Sequence, residues 1–156
     1  MEVLLAVGMI APDFIGVTDE GKQIKLSDYR GKYVVLYFYP KDDTPGCTKQ
    51  ACNFRDNMSE IASNDVVVIG VSTDSVESHK KFKQKYNLNF ILVSDQKKEI
   101  SSKYGVLNFR GTSNRQTFLI DDKGIIRYIW TTVNVNTHAK DVIAKVKEIK
   151  SKDLQN

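Results

Sequence analysis

Residues 32–54 read KYVVLYFYPKDDTPGCTKQACNF. The opening run, 32–39, is continuously apolar, β-branched and aromatic, the pattern of a strand buried on both faces. A loop broken by Pro40, Pro45 and Gly46 follows. From there Cys47, Ala51, Phe54, Met58 and Ile61 recur at three- and four-residue steps, which predicts one helix with a single buried face. A buried strand feeding a helix is the opening unit of an α/β sheet.

The same grammar continues outward. VVVIGVS (66–72), FILVS (90–94) and QTFLID (116–121) read as further buried strands. IIRYIW (125–130) follows the turn signal DDKG, so 116–130 reads as a β-hairpin. Helices are expected over 75–86 (Val76, Phe82, Tyr86), briefly near 97–104, and over 139–149 (Ala139, Val142, Ile143, Val146, Ile149), with Asn136 or Thr137 as the last one's cap. The order β–α–β–α–β–(α)–β–β–α implies an α/β, thioredoxin-like fold. Its central mixed sheet is flanked by helices, and the N-terminal extension 1–31 adds a small hairpin. With no linker, repeat or low-complexity tract, the reading is one domain over 1–156.

Composition narrows the function. A chain of 156 residues that is 41% hydrophobic can bury one sizeable core. The net charge of +4 is spread over scattered lysines, with small clusters at Lys80–Lys81–Lys83–Lys85 and along 140–152. No aromatic residues interleave with a basic stripe, so these read as solvated helix faces and no nucleic-acid partner is expected. The start MEVLLAVGMIAPDF carries Glu2 where a secretory signal has a basic residue, and its apolar run breaks at Gly8. No signal peptide, no membrane span and a cytoplasmic location are expected.

Cys47 and Cys52 are the only cysteines. In a reducing compartment two nearby thiols point to redox or catalytic chemistry rather than a staple. Cys47 opens a helix, where unpaired N–H groups and the helix dipole favour a thiolate, the nucleophilic form. Gly46 admits a close reactant, and Thr44 can offer a hydroxyl. A lone cysteine is more often just a small buried residue; the loop around this one tips the balance. Five residues along a regular helix put the two Cα atoms roughly 8.7 Å apart, beyond the limit of about 6.8 Å for a disulfide. Either the thiols stay unlinked, or they join only after local unfolding. The spacing does not suit a zinc site. His79 and His138 lie far off in sequence and read as structural or surface residues, so neither a metal nor a cofactor is expected.

At these residues the sequence resembles the peroxiredoxins. PKDDTPGCT carries their Pro-x-x-x-Thr-x-x-Cys signature as Pro40, Thr44 and Cys47. The string YFYPKDDTPGCTKQACNFRDN, with IGVSTDS, LVSD, YGV and RQTFLIDDKGIIR in order, is similar to the bacterioferritin-comigratory branch over nearly the whole chain. The resemblance implies a thiol-dependent peroxidase acting on hydrogen peroxide or organic hydroperoxides. Cys47 matches the peroxidatic cysteine, Thr44 the residue that holds the peroxide, Pro40 the proline that shields the sulfur, and Arg115 an arginine arriving from a neighbouring strand. Cys52 matches a resolving cysteine that forms an intramolecular disulfide. A thioredoxin-like reductant and a monomer or weak dimer are implied.

NFRGTSN, before Arg115, is shorter than in many relatives, so the rim of the site is expected to differ. Arg55 and Arg110 are nearby cations better suited to surface roles, and Asp42 and Asp43 are expected to face solvent. The competing reading is a thioredoxin-type thiol–disulfide oxidoreductase acting on proteins. CxxxxC argues against it, since such exchange normally uses CxxC. A non-catalytic module of the same fold comes third.

Overall fold

The computed structural model describes residues 4–155. Strands β1 (Ile15–Thr18) and β2 (Gln23–Lys25) form an N-terminal hairpin, followed by a 3-10 turn over Leu26–Tyr29. Then come β3 (Tyr33–Phe38), helices α1 (Pro45–Asp56) and α2 (Met58–Ser63), β4 (Val66–Ser72), α3 (Val76–Tyr86), β5 (Ile91–Ser94) and α4 (Glu99–Lys103). The hairpin β6 (Gln116–Ile120) and β7 (Ile126–Trp130) and the helix α5 (His138–Leu154) complete the order.

All these strands join one sheet, in the order β2-β1-β5-β4-β3-β6-β7. β3, β4 and β5 run parallel, while β6 and β7 are antiparallel to their neighbours. The expected mixed thioredoxin-like sheet and N-terminal hairpin are therefore present.

β3 is buried along its whole length because alternate residues serve two cores. Tyr33, Val35, Tyr37 and Tyr39 face α1 and α5, packing with Ala51, Phe54, Val142 and Val146. Val34, Leu36 and Phe38 face the opposite layer with Leu26, Ile100, Tyr104 and Phe118. At Gly70 in β4, a side chain would lie 2.8 Å from the Tyr37 ring, so glycine is what leaves room for that ring beside β4.

The long helix expected from 47 to 61 is corrected in two ways. It begins two residues earlier, with Thr44 as cap and Pro45 in the first turn, where a missing N–H costs nothing. It also breaks at Asn57, whose side-chain amide donates to the Asn53 carbonyl at 2.8 Å. The Asn57 backbone N–H turns instead to Phe54 O at 3.1 Å. The side chain thus takes the acceptor that the next helical bond would use. Periodicity runs through the break because Met58 and Ile61 still pack on the same core. Thr137 caps α5 in position only: its hydroxyl donates to the Asp141 carboxylate.

Candidate active site

Cys47 sits in the first turn of α1, directly beyond the carboxyl end of β3. The first bond of the helix runs from Thr48 N–H to Thr44 O at 2.8 Å. The N–H groups of Gly46 and Cys47 lie ahead of that ladder, where the helix dipole is positive. Cys47 is only 2% exposed, whereas Cys52, further along α1, is half-buried; both are free thiols.

Arg115 immediately precedes β6, the strand beside β3, and this places its guanidinium over the helix start. Nη2 donates to Cys47 Sγ at 3.3 Å and Nη1 to Gln50 Oε1 at 2.6 Å. Gly46 makes the approach possible, since a Cβ there would lie 3.1 Å from Nη2. Gln50 escaped the sequence reading. Its only signal is the step of three from Cys47, which puts both on one helix face. It is fully buried, and its Nε2 has no partner among the described residues.

Thr44 is half-buried, and its Oγ1 donates to the Lys41 carbonyl at 2.9 Å. The hydroxyl proton is thereby committed and the oxygen lone pairs are left to accept. Pro40 lies half-buried at the start of the same loop. Fold and sequence thus bring Pro40, Thr44, Cys47 and Arg115 to one end of the sheet, with Cys52 further along the same helix.

Other expected residues fall elsewhere. Arg55 bonds Asp56 and the Tyr86 carbonyl, and Arg110 lies over the exposed Phe109 ring. His79 and His138 are both buried. His138 bonds Thr117 Oγ1 at 2.8 Å and packs edge-on to Phe54 and Trp130. Burial pushes its imidazole down to about 4; the Asp141 carboxylate opposes this and the Arg115 guanidinium adds to it.

The expectation that Asp42 faces solvent is wrong: it is 8% exposed. It turns inward because His79, Ser78 and Tyr39 all engage its carboxylate there. Asp43 is exposed as expected, bonded to Lys85 and Tyr86.

A profile of the AhpC/TSA family matches residues 7–129. A Coxiella burnetii protein named for the peroxiredoxin bcp is 47% identical over 150 residues, covering 91% of this chain and 99% of its own. The chain belongs to the AhpC/TSA family. Peroxiredoxin Bcp of Bacillus subtilis is 43% identical over 95% of this chain and 99% of its own. Among solved structures, Peroxidoxin BcpB of Mycobacterium tuberculosis superposes with a TM-score of 0.86 at 32% identity, covering 92% of this chain and 97% of its own. PrxQ of Xylella fastidiosa gives 0.89 at 30% identity, covering 95% and 99%. The AhpC/TSA membership, on its Bcp and PrxQ side, bears out the peroxiredoxin resemblance. Among the described residues, no helix is long and apolar enough to cross a membrane.

Proposed function

We propose that this AhpC/TSA-family chain is a thiol-dependent peroxidase that uses Cys47 as nucleophile and Cys52 to close the cycle. The observation that carries the reading is the convergence on one sulfur of a helix N-terminus and the Nη2 of Arg115. Both favour the thiolate, and neither would be needed for a merely buried cysteine.

The thiolate attacks one peroxide oxygen. An S–O bond forms, the O–O bond breaks, and the departing oxide takes a proton to leave as water or alcohol. Thr44 accepts a hydrogen bond from the peroxide, and Arg115 stabilises the charge spread over both oxygens in the transition state. Pro40 shields the sulfur from water. The Cys52 thiol then attacks the sulfenic sulfur, forming the Cys47–Cys52 disulfide and releasing water. A thioredoxin-type dithiol in the cytoplasm returns two electrons and restores both thiols. The proposed assembly, taken from the family resemblance alone, is a monomer or weak dimer.

Dithiol exchange on protein substrates fits less well, because a protein disulfide cannot reach a sulfur on a residue that is 2% exposed. The test is peroxide consumption with dithiothreitol, then with a thioredoxin system, for wild type and Cys47→Ser. Wild type should consume hydrogen peroxide or an organic hydroperoxide, and Cys47→Ser should not. Insulin reduction without peroxide consumption would instead establish the exchange enzyme.

A further inference from the structure

The loop between β3 and α1 is held by a buried polar cluster that the peroxide chemistry does not use. Asp42 Oδ1 accepts from the Tyr39 hydroxyl at 2.5 Å. Asp42 Oδ2 accepts from Ser78 Oγ at 2.8 Å and meets His79 Nδ1 at 2.7 Å. The acceptors fix the protons. His79 Nε2 lies 2.9 Å from the Val93 carbonyl oxygen, which can only accept, so Nε2 carries hydrogen. Nδ1 is thereby the ring nitrogen that faces the carboxylate. Burial, with the Asp42 charge beside it, pushes the Tyr39 hydroxyl well up, in keeping with its role as donor. Asp42, Asp74 and His79 come close enough to resemble a cation site. Their facing lone pairs are instead engaged by hydroxyl, amide and imidazole protons, so the cluster works as a clamp.

The clamp leads to Thr44 through one peptide unit. The Asp42 N–H donates to Asp74 Oδ2 at 2.8 Å. The carbonyl of that same peptide, on Lys41, accepts from Thr44 Oγ1 at 2.9 Å. A trans peptide is planar, with N–H and C=O pointing in opposite directions. Holding the N–H on Asp74 therefore aims the carbonyl at Thr44 and sets where that hydroxyl points. Asp74 is itself fixed by Ser72 Oγ at 2.6 Å, and Asp43, next in the loop, is tied to Lys85 and Tyr86 of α3.

We infer that Asp42 and Asp74 are positioning residues for peroxide reduction: they lock the Lys41–Asp42 peptide and, through it, the Thr44 hydroxyl. The inference rests on the proposed role of Thr44 at Cys47. It predicts a split between two reactions of one sulfur. Peroxide needs Thr44; alkylation by iodoacetamide needs only the thiolate, which Arg115 and the helix start supply.

The experiment measures both rate constants on Cys47, following oxidation by stopped-flow fluorescence and alkylation by peptide mass spectrometry. Asp42→Ala and Asp74→Ala should each slow oxidation on the order of ten- to a hundredfold, as loss of alignment does, with alkylation within about twofold of wild type. Asp42→Asn should regain most of the oxidation rate, because its amide can donate to His79 Nδ1 while its oxygen accepts from Tyr39. If Asp42→Ala fails to fold, Asp74→Ala, at a half-buried position, carries the test. Unchanged oxidation in the folded alanine variants would overturn the inference while leaving the peroxidase reading intact. Parallel loss of alkylation would also overturn it, since Cys47 itself would then be disturbed. A wild type inert to peroxide would overturn both.

Discussion

Arg115 and Cys47 meet across 68 positions of sequence, Nη2 to Sγ at 3.3 Å. The second arm of the fork rests on Gln50, so the guanidinium reaches the sulfur in a fixed orientation. A point charge cannot make both contacts at once. Arg115→Lys should therefore slow oxidation of Cys47 on the order of ten- to a hundredfold, measured as the second-order rate constant with hydrogen peroxide. Gln50→Met should cost less, since it frees the fork without removing it. A wild-type rate in Arg115→Lys would mean that the charge near the sulfur is not used.

Thr44→Val keeps the shape of the side chain and removes the hydroxyl. It should lower the oxidation rate by about 2.7–4 kcal/mol of transition-state stabilisation, the worth of one such contact. Thr44→Ser, which restores the hydroxyl, should recover most of it. Equal rates in the valine and serine variants would show that the Thr44 hydroxyl is not used by the peroxide and serves only its bond to the Lys41 carbonyl.

Regular helix over Pro45–Asp56 keeps Cys47 and Cys52 too far apart to bond in the reduced state. One equivalent of peroxide should yield an intramolecular disulfide by mass spectrometry, and the helix must open to form it. Amide exchange over 48–56 should rise while the central strands stay protected. The amide of Ala139 should follow, because its acceptor is Asn53 Oδ1 at 2.8 Å. Trp130, the only tryptophan, touches His138, which touches Phe54 of α1, so its fluorescence should report the same opening.

Cys52→Ser should reduce the first equivalent of peroxide, then stall as a sulfenic acid and pass on to the sulfinic form. Normal turnover of Cys52→Ser with thioredoxin would leave Cys52 a bystander.

His138 gives the protein a pH dependence of known sign. In the fold its imidazole stays neutral down to about pH 4, against an ordinary value of 6.5. Between those values the unfolded chain binds the extra proton, so stability is complete above 6.5 and is lost as the pH falls towards 4. The full effect is at most roughly 3 to 4 kcal/mol. Asp43, Glu148 and Asp153 are held low by hydrogen bonds from Lys85, Lys145 and Arg127, so their contributions fade only below their ordinary values of 3.8 to 4.5. Chemical denaturation from pH 7 to 4.5 should show the loss in wild type. His138→Gln, which can still reach Thr117, should flatten it.

Periodicity alone determined the strands and most of the helices, because alternation and three-to-four spacing are local consequences of burial on one or two faces. The motif around Cys47 was legible for a similar reason: a capped helix start after a buried strand is written in consecutive residues. The break at Asn57 was not, since apolar spacing continues across a bend when both halves pack on one core. Tertiary structure decided the rest. Arg115 faces Cys47 because β6 pairs with β3, and strand order is not a local property. Asp42 turns inward because α3 brings His79 to it from 37 residues away. A loop side chain has no periodicity to direct it. Its orientation follows from the partners that the assembled fold provides to offset the cost of burying its charge.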